Sequence, residues 1–135
     1  MTELPANIKN LNFLIVDDYE SMQIMVSQNL KQLGVTKIQI CNSGNSALKK
    51  IKENLSTPNT IQYVITDLVM EDGTGLDLVK AIRSDTSIAK LPIIMVTSKA
   101  EVSHVIECIK AGVSSYIVKP WKIEDLCKKI AESYK

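Results

Sequence analysis

The sequence has no excess of either charge, no membrane-length apolar run, no paired cysteines and no glycine-rich phosphate loop. Sixteen basic residues face fifteen acidic ones, for a net charge of +1. That balance removes the electrostatic case for a nucleic-acid or membrane-surface partner. No stretch approaches the ~20 apolar residues that a spanning helix needs. The opening MTELPANIKN lacks the apolar core of a secretory signal. Cys41, Cys108 and Cys127 are odd in number and show neither CxxC nor Cys/His ligand spacing. They read as small core residues in a reduced compartment. Neither a P-loop nor GxGxxG is present, so nucleotide binding has no support. There is also no repeat, linker or low-complexity tail. The expectation is a soluble, cytoplasmic, monomeric protein in which residues 1–135 form one domain with its core at about 11–134.

What is there is an alternation of two periods. With 45% apolar content, 135 residues suffice for one real core. Short apolar, β-branched runs at Phe13–Val16, Ile38–Cys41, Tyr63–Thr66, Ile93–Val96 and Tyr116–Val118 suit strands buried on both faces. Between them the period becomes helical. Met22, Met25, Val26, Leu30 and Leu33 form a first stripe closed by Gly34, and Ala47, Leu48, Ile51 and Leu55 a second. Leu76, Val79 and Ile82 form a third. Val102, Val105, Ile106 and Ile109 form a fourth that stops near Gly112, and Ile123, Leu126, Cys127, Ile130 and Tyr134 the last. All five read as core faces. Five successive β–α units imply right-handed crossovers and a doubly wound parallel sheet with helices on both sides.

In such a sheet, chemistry collects at the carboxyl ends of the strands. The first strand ends in Asp17-Asp18, the third in Asp67, the fourth in Thr97-Ser98 and the fifth in Lys119-Pro120. Each has an ordinary explanation when taken alone. One aspartate of the pair can cap the following helix. Ser98 with Glu101 has capping-box spacing. Asp67 can be a loop acid, and Lys119 a solvated base. Their joint placement is harder to explain that way. Two carboxylates ~4 Å apart repel by about 4 kcal/mol at an effective dielectric near 20. A third acid adds to that, and one lysine cannot neutralise it. A hard divalent cation can, and an all-oxygen site with room for water and a phosphate suits Mg²⁺. A cation beside a spare carboxylate suggests phosphoryl transfer, with Asp67 as nucleophile and aspartyl phosphate as product.

The stretches "FLIVDDYESM", "ITDLVM" and "AGVSSYIVKPW" resemble the response-regulator receiver domains, most closely the stand-alone, single-domain chemotaxis type. The resemblance runs from about Leu11 to Tyr134. It implies a flavodoxin-like five-stranded α/β fold with strand order 2-1-3-4-5. It also implies that Asp67 accepts a phosphoryl group from a phosphohistidine on a sensor kinase or histidine phosphotransfer protein. Asp17, Asp18, Asp67 and the backbone carbonyl of Val69 would surround Mg²⁺. Thr97 and Lys119 would bind phosphoryl oxygens, and Tyr116 would be the aromatic switch. A cis Lys119–Pro120 bond is part of the same pattern. The match departs at "DLVMEDGTG", where Glu71 replaces the family's proline and Thr74 stands where an Asp usually precedes Gly75. Val69 and Lys99 occupy the two positions that modulate aspartyl-phosphate hydrolysis in the family.

A flavin-binding protein of the same fold would want N–H groups and hydroxyls after the first strand, and "DDYES" places acids there. A small Mg²⁺-dependent aspartyl-phosphate phosphatase would need a substrate pocket and usually a cap, for which the chain has no residues to spare. A phosphorelay intermediate or phosphate sink remains an alternative to a regulator with a motor target. With no output domain expected, a downstream protein would be met on the surface of the fourth helix, fifth strand and fifth helix. Glu101, His104, Lys110, Glu124, Lys128 and Lys129 lie there, with His104 read as a solvated helix residue. The chain is expected to modify only itself and not to turn over substrates.

Overall fold

The computed structural model describes residues 3–70, 74–98 and 103–134. Five strands, β1 (Asn12–Val16), β2 (Lys37–Cys41), β3 (Tyr63–Asp67), β4 (Ile93–Thr97) and β5 (Ser115–Val118), form one all-parallel sheet in the order β2-β1-β3-β4-β5. This is the expected doubly wound fold. The central strands β3 and β4 are buried at every position, as their apolar, β-branched composition requires.

Successive side chains on a strand alternate between faces, and the sheet sorts its core accordingly. Phe13, Ile15, Tyr63, Ile65, Ile94 and Val96 face one layer with Val26, Leu30, Leu126 and Ile130. These come from α2 (Glu20–Gln32) and α6 (Ile123–Ser133). Leu14, Val16, Val64, Ile93 and Met95 face the other layer, with Ala47 and Ile51 of α3 (Gly44–Glu53), Leu78, Val79 and Ile82 of α4 (Gly75–Ser84) and Cys108 of α5 (Val105–Ala111). Each fully buried aliphatic side chain contributes about 1.5–3 kcal/mol. Gly34 (φ 99°) and Gly112 (φ 109°) close α2 and α5 in the left-handed conformation that the stripes led one to expect.

Two expectations need correction. The polar-looking start carries a short helix, α1 (Ala6–Lys9), that belongs to the core. Leu4, Ile8 and Leu11 are buried in the layer with α2, and the Leu4 N–H donates to the Leu33 carbonyl at 2.9 Å. The fourth stripe also faces differently. Val105 and Cys108 point inward, while Ile106 and Ile109 are 66% and 56% exposed. Two apolar pairs with the same i, i+3 spacing overlap in this short helix, and only one can face the sheet. Met25 and Leu55 likewise lie at the surface, Leu55 beyond the end of α3. Lys99, Glu101 and Val102 lie outside the described residues, as does Glu71. Because α1 adds a helix, the surface anticipated for a downstream partner is formed by α5, β5 and α6.

Candidate functional site

The register of the parallel sheet brings the expected strand ends to one edge. Val16 pairs with Thr66, Asp67 with Val96, and Thr97 with Val118, so residues 17, 67, 97 and 119 leave the sheet side by side. Asp17, Asp18 and Asp67 each offer a carboxylate oxygen, and these oxygens lie within 4.8 Å of one another. Asp17 and Asp67 are only 3% and 6% exposed. Lys119 reaches across to Asp67, with Nζ 3.5 Å from Oδ1. Asp18, Asp67, Val69, Ser98 and Lys119 line an open crevice of about 260 Å³, together with Tyr19 and Met70.

Helix capping does not account for the acid pair. The N-cap of α2 is Tyr19, which makes no side-chain capping bond. The Tyr19 backbone N–H instead donates to Asp17 Oδ1 at 2.9 Å, and Gln23 Nε2 donates to the Asp17 carbonyl at 2.6 Å. Asp17 is thus turned inward and fixed, while Asp18 faces the crevice. The N-cap of the α5 segment is His104; Glu101, the residue that capping-box spacing pairs with Ser98, lies outside the described residues. His104 is exposed, as expected for a solvated helix residue, and sits 4.0 Å from Glu107.

Burial raises the Asp17 carboxyl to about 6. The Tyr19 N–H and Lys119 oppose this, while Asp67 and Asp18 add to it. Asp67 is also raised by burial, against the pull of Lys119 and of the Leu68 N–H that donates to Oδ1 at 2.9 Å. Among the described residues, every hydrogen bond to the Asp67 carboxylate falls on Oδ1. A donor set of three converging carboxylates fits a hard, oxygen-loving cation and not a soft one. Val69 is half exposed on the same rim.

Thr97 is buried, and its hydroxyl donates to the Ser98 carbonyl at 3.3 Å, so Ser98 is the one of the two that lines the crevice. The Lys119–Pro120 bond is cis. Tyr116 stands away from the crevice on β5, half buried.

The sequence reading missed Tyr19, Gln23 and Gly75. An aromatic directly after the acid pair was the available signal for Tyr19. Gly75 opens α4 and donates its N–H to the Leu68 carbonyl at 2.8 Å. A Cβ there would overlap the Asp67 carbonyl oxygen. Thr74 caps α4 by accepting from the Asp77 N–H at 3.1 Å, and Asp77 accepts in return from the Thr74 N–H. The departure from the usual Asp at Thr74 therefore keeps a working cap. Gly75→Ala is expected to destabilise the fold by about 1–3 kcal/mol, since backbone must move to admit the methyl. Urea unfolding measures this, and unchanged stability would disprove the close approach.

Fold and site together define a flavodoxin-like α/β protein with an acid crevice at its strand ends. Residues 13–131 match the family model of the response regulator receiver domain, and the chain belongs to that family. It is 37% identical over 122 residues to "Chemotaxis protein CheY-3" of Vibrio cholerae, covering 90% of each chain. It is 33% identical to "Chemotaxis protein CheY" of Pseudomonas aeruginosa, over 92% of this chain and 96% of that one. Among solved structures it resembles a putative response regulator from Chloroflexus aurantiacus (TM-score 0.83, 27% identity, 92% and 97% coverage). It also resembles the chemotaxis response regulator CheY4 of Vibrio cholerae (TM-score 0.80, 28% identity, 93% and 99% coverage). A CheY-like receiver is a signalling protein and not a classical enzyme. Among the described residues, no helix is long and apolar enough to cross a membrane.

Proposed function

We propose that residues 1–135 work as one phosphoacceptor receiver unit, in a two-component or chemotaxis-type pathway, with Asp67 as the acceptor. The observation that carries this reading is the convergence of three carboxylates with Lys119 on the oxygen Oδ1 of one of them. Asp17, Asp18, Asp67 and the Val69 carbonyl would hold Mg²⁺, which when bound supplies positive charge opposite the phosphoryl oxygens. Asp67 Oδ2 attacks the phosphorus of a phosphohistidine on a sensor kinase or phosphotransfer protein. The P–O bond forms as the P–N bond breaks, and its electron pair returns to the imidazole. Lys119 exchanges its contact with Asp67 for one with a phosphoryl oxygen. The Thr97 hydroxyl leaves the Ser98 carbonyl for another phosphoryl oxygen, and Tyr116 rotates into the space given up beside β5. The altered α5–β5–α6 surface then meets a downstream protein, either a motor component or a further relay protein. The working compartment is the cytoplasm, and the unit acts as a monomer.

Intact mass after incubation with acetyl phosphate and Mg²⁺ tests the reading. The expected result is a gain of one phosphoryl group that is lost again on standing. No gain would refute the phosphoacceptor role. Sustained hydrolysis of an external phosphomonoester would favour a phosphatase, which the small, open crevice argues against.

A further inference from the structure

Among the described residues, β5 is an edge strand that pairs with β4 alone. Its side chains alternate between layers: Ile117 joins the layer of α2 and α6, whereas Tyr116 packs against the layer of α3, α4 and α5. Lys129 belongs to α6, across the sheet from Tyr116. Its ammonium nonetheless lies 5.3 Å from the centroid of the Tyr116 ring. A lysine from one layer thus reaches round the open sheet edge to an aromatic ring on the other. On the same helix, Glu132 lies 4.0 Å from Lys128, and Lys129 makes no ion pair with a described residue. Asp125 and Glu132 line the same groove, and among the described residues the contact made by the ammonium is with the Tyr116 ring.

We propose that Lys129 is a positioning residue that retains Tyr116 at the surface groove in the unphosphorylated chain. It thereby sets the resting bias of the switch. The inference rests on the reading of Tyr116 as the switch residue. An ammonium over an aromatic face is attracted by the ring's quadrupole. The attraction exists only while the ring stays at the groove that Tyr116 shares with Lys128, Lys129 and Glu132. An interaction present in one of two positions shifts the equilibrium between them by its own strength. For a cation–π contact at an exposed site, the shift is about two- to fivefold. The inward state is then scarcer by that factor, and anything that binds the inward state binds more weakly in proportion.

The test follows the Tyr116 ring by NMR in ¹³C-tyrosine-labelled protein, with the Tyr116→Phe spectrum providing the assignment. Wild type, Lys129→Met and Lys129→Arg are compared without ligand and during titration with Mg²⁺ and beryllofluoride, a phosphoryl mimic. Lys129→Met is expected to move the ring's position two- to fivefold toward the activated state before any mimic is added. It is also expected to lower the half-saturating beryllofluoride concentration by the same factor. Lys129→Arg, which keeps a cation over the ring, should remain near wild type. If the wild-type ring moves on titration but Lys129→Met changes neither quantity, the proposal is overturned and the switch reading stands. An arginine variant that behaves like the methionine variant also overturns it. A wild-type ring that reports one environment throughout removes the switch reading, and this inference falls with it.

Discussion

Asp67→Asn should show no mass increase under conditions that add one phosphoryl group to the wild-type chain. An amide oxygen carries no charge and is a poor nucleophile, so the step that forms the P–O bond is lost with the carboxylate. The substitution is otherwise mild. Asn can still accept the Leu68 N–H at Oδ1, so the turn after β3 keeps its anchor. The buried site also loses one of three converging acids, so the variant should be no less stable than wild type. Loss of phosphorylation without loss of fold separates a chemical role from a structural one. Modification at the wild-type rate would move the acceptor elsewhere. Asp18, which shares the crevice, would be the next candidate on geometry.

Strand ends were readable in the sequence because buried parallel strands are uniformly apolar. A carboxylate, hydroxyl or amine at their end interrupts the pattern sharply, as Asp17, Asp67, Thr97 and Lys119 do. The sheet register then brings them together without further information. What was not readable had no such contrast. Leu4, Ile8 and Leu11 do carry helical spacing, but among polar residues, and the helix they flank, Ala6–Lys9, is barely one turn long. In α5 two apolar pairs competed for the same face, and the choice of Val105 and Cys108 over Ile106 and Ile109 is made by tertiary packing. Whether an aspartate capped α2 depended on a backbone N–H, that of Tyr19, whose direction composition does not encode. The need for Gly75 arises from a chain segment eight residues earlier, and only the folded backbone reveals it.

Asp17→Asn is expected to stabilise the metal-free protein and to weaken its response to Mg²⁺. The unfolded Asp17 carboxyl titrates near 3.8, and in the folded chain it is raised to about 6, chiefly by burial. Between those values the folded state holds a proton that the unfolded state releases. Stability in chelator therefore falls as pH rises through about 4 to 6, and levels off above. Asp67, also raised, acts in the same direction. At 1.36 kcal/mol per pH unit, Asp17 accounts for a penalty of about 3 kcal/mol at pH 8. Asn keeps an oxygen for the Tyr19 N–H and removes the charge. The variant should thus gain about 2–3 kcal/mol at pH 8 with EDTA, and little at pH 4. Mg²⁺ reverses the ranking. It binds the folded acids and stabilises wild type in proportion to its affinity. The variant lacks one ligand and should bind at least about tenfold more weakly, since losing even an outer-shell partner costs that much. Asp18→Asn should lose more affinity still, because Asp18 faces the crevice while Asp17 spends Oδ1 on a backbone bond. Urea unfolding at pH 4 and pH 8, with EDTA or with Mg²⁺, measures both halves. Equal stability of variant and wild type in EDTA at pH 8 would deny the burial penalty. Equal stabilisation of the two by Mg²⁺ would remove Asp17 from the metal site.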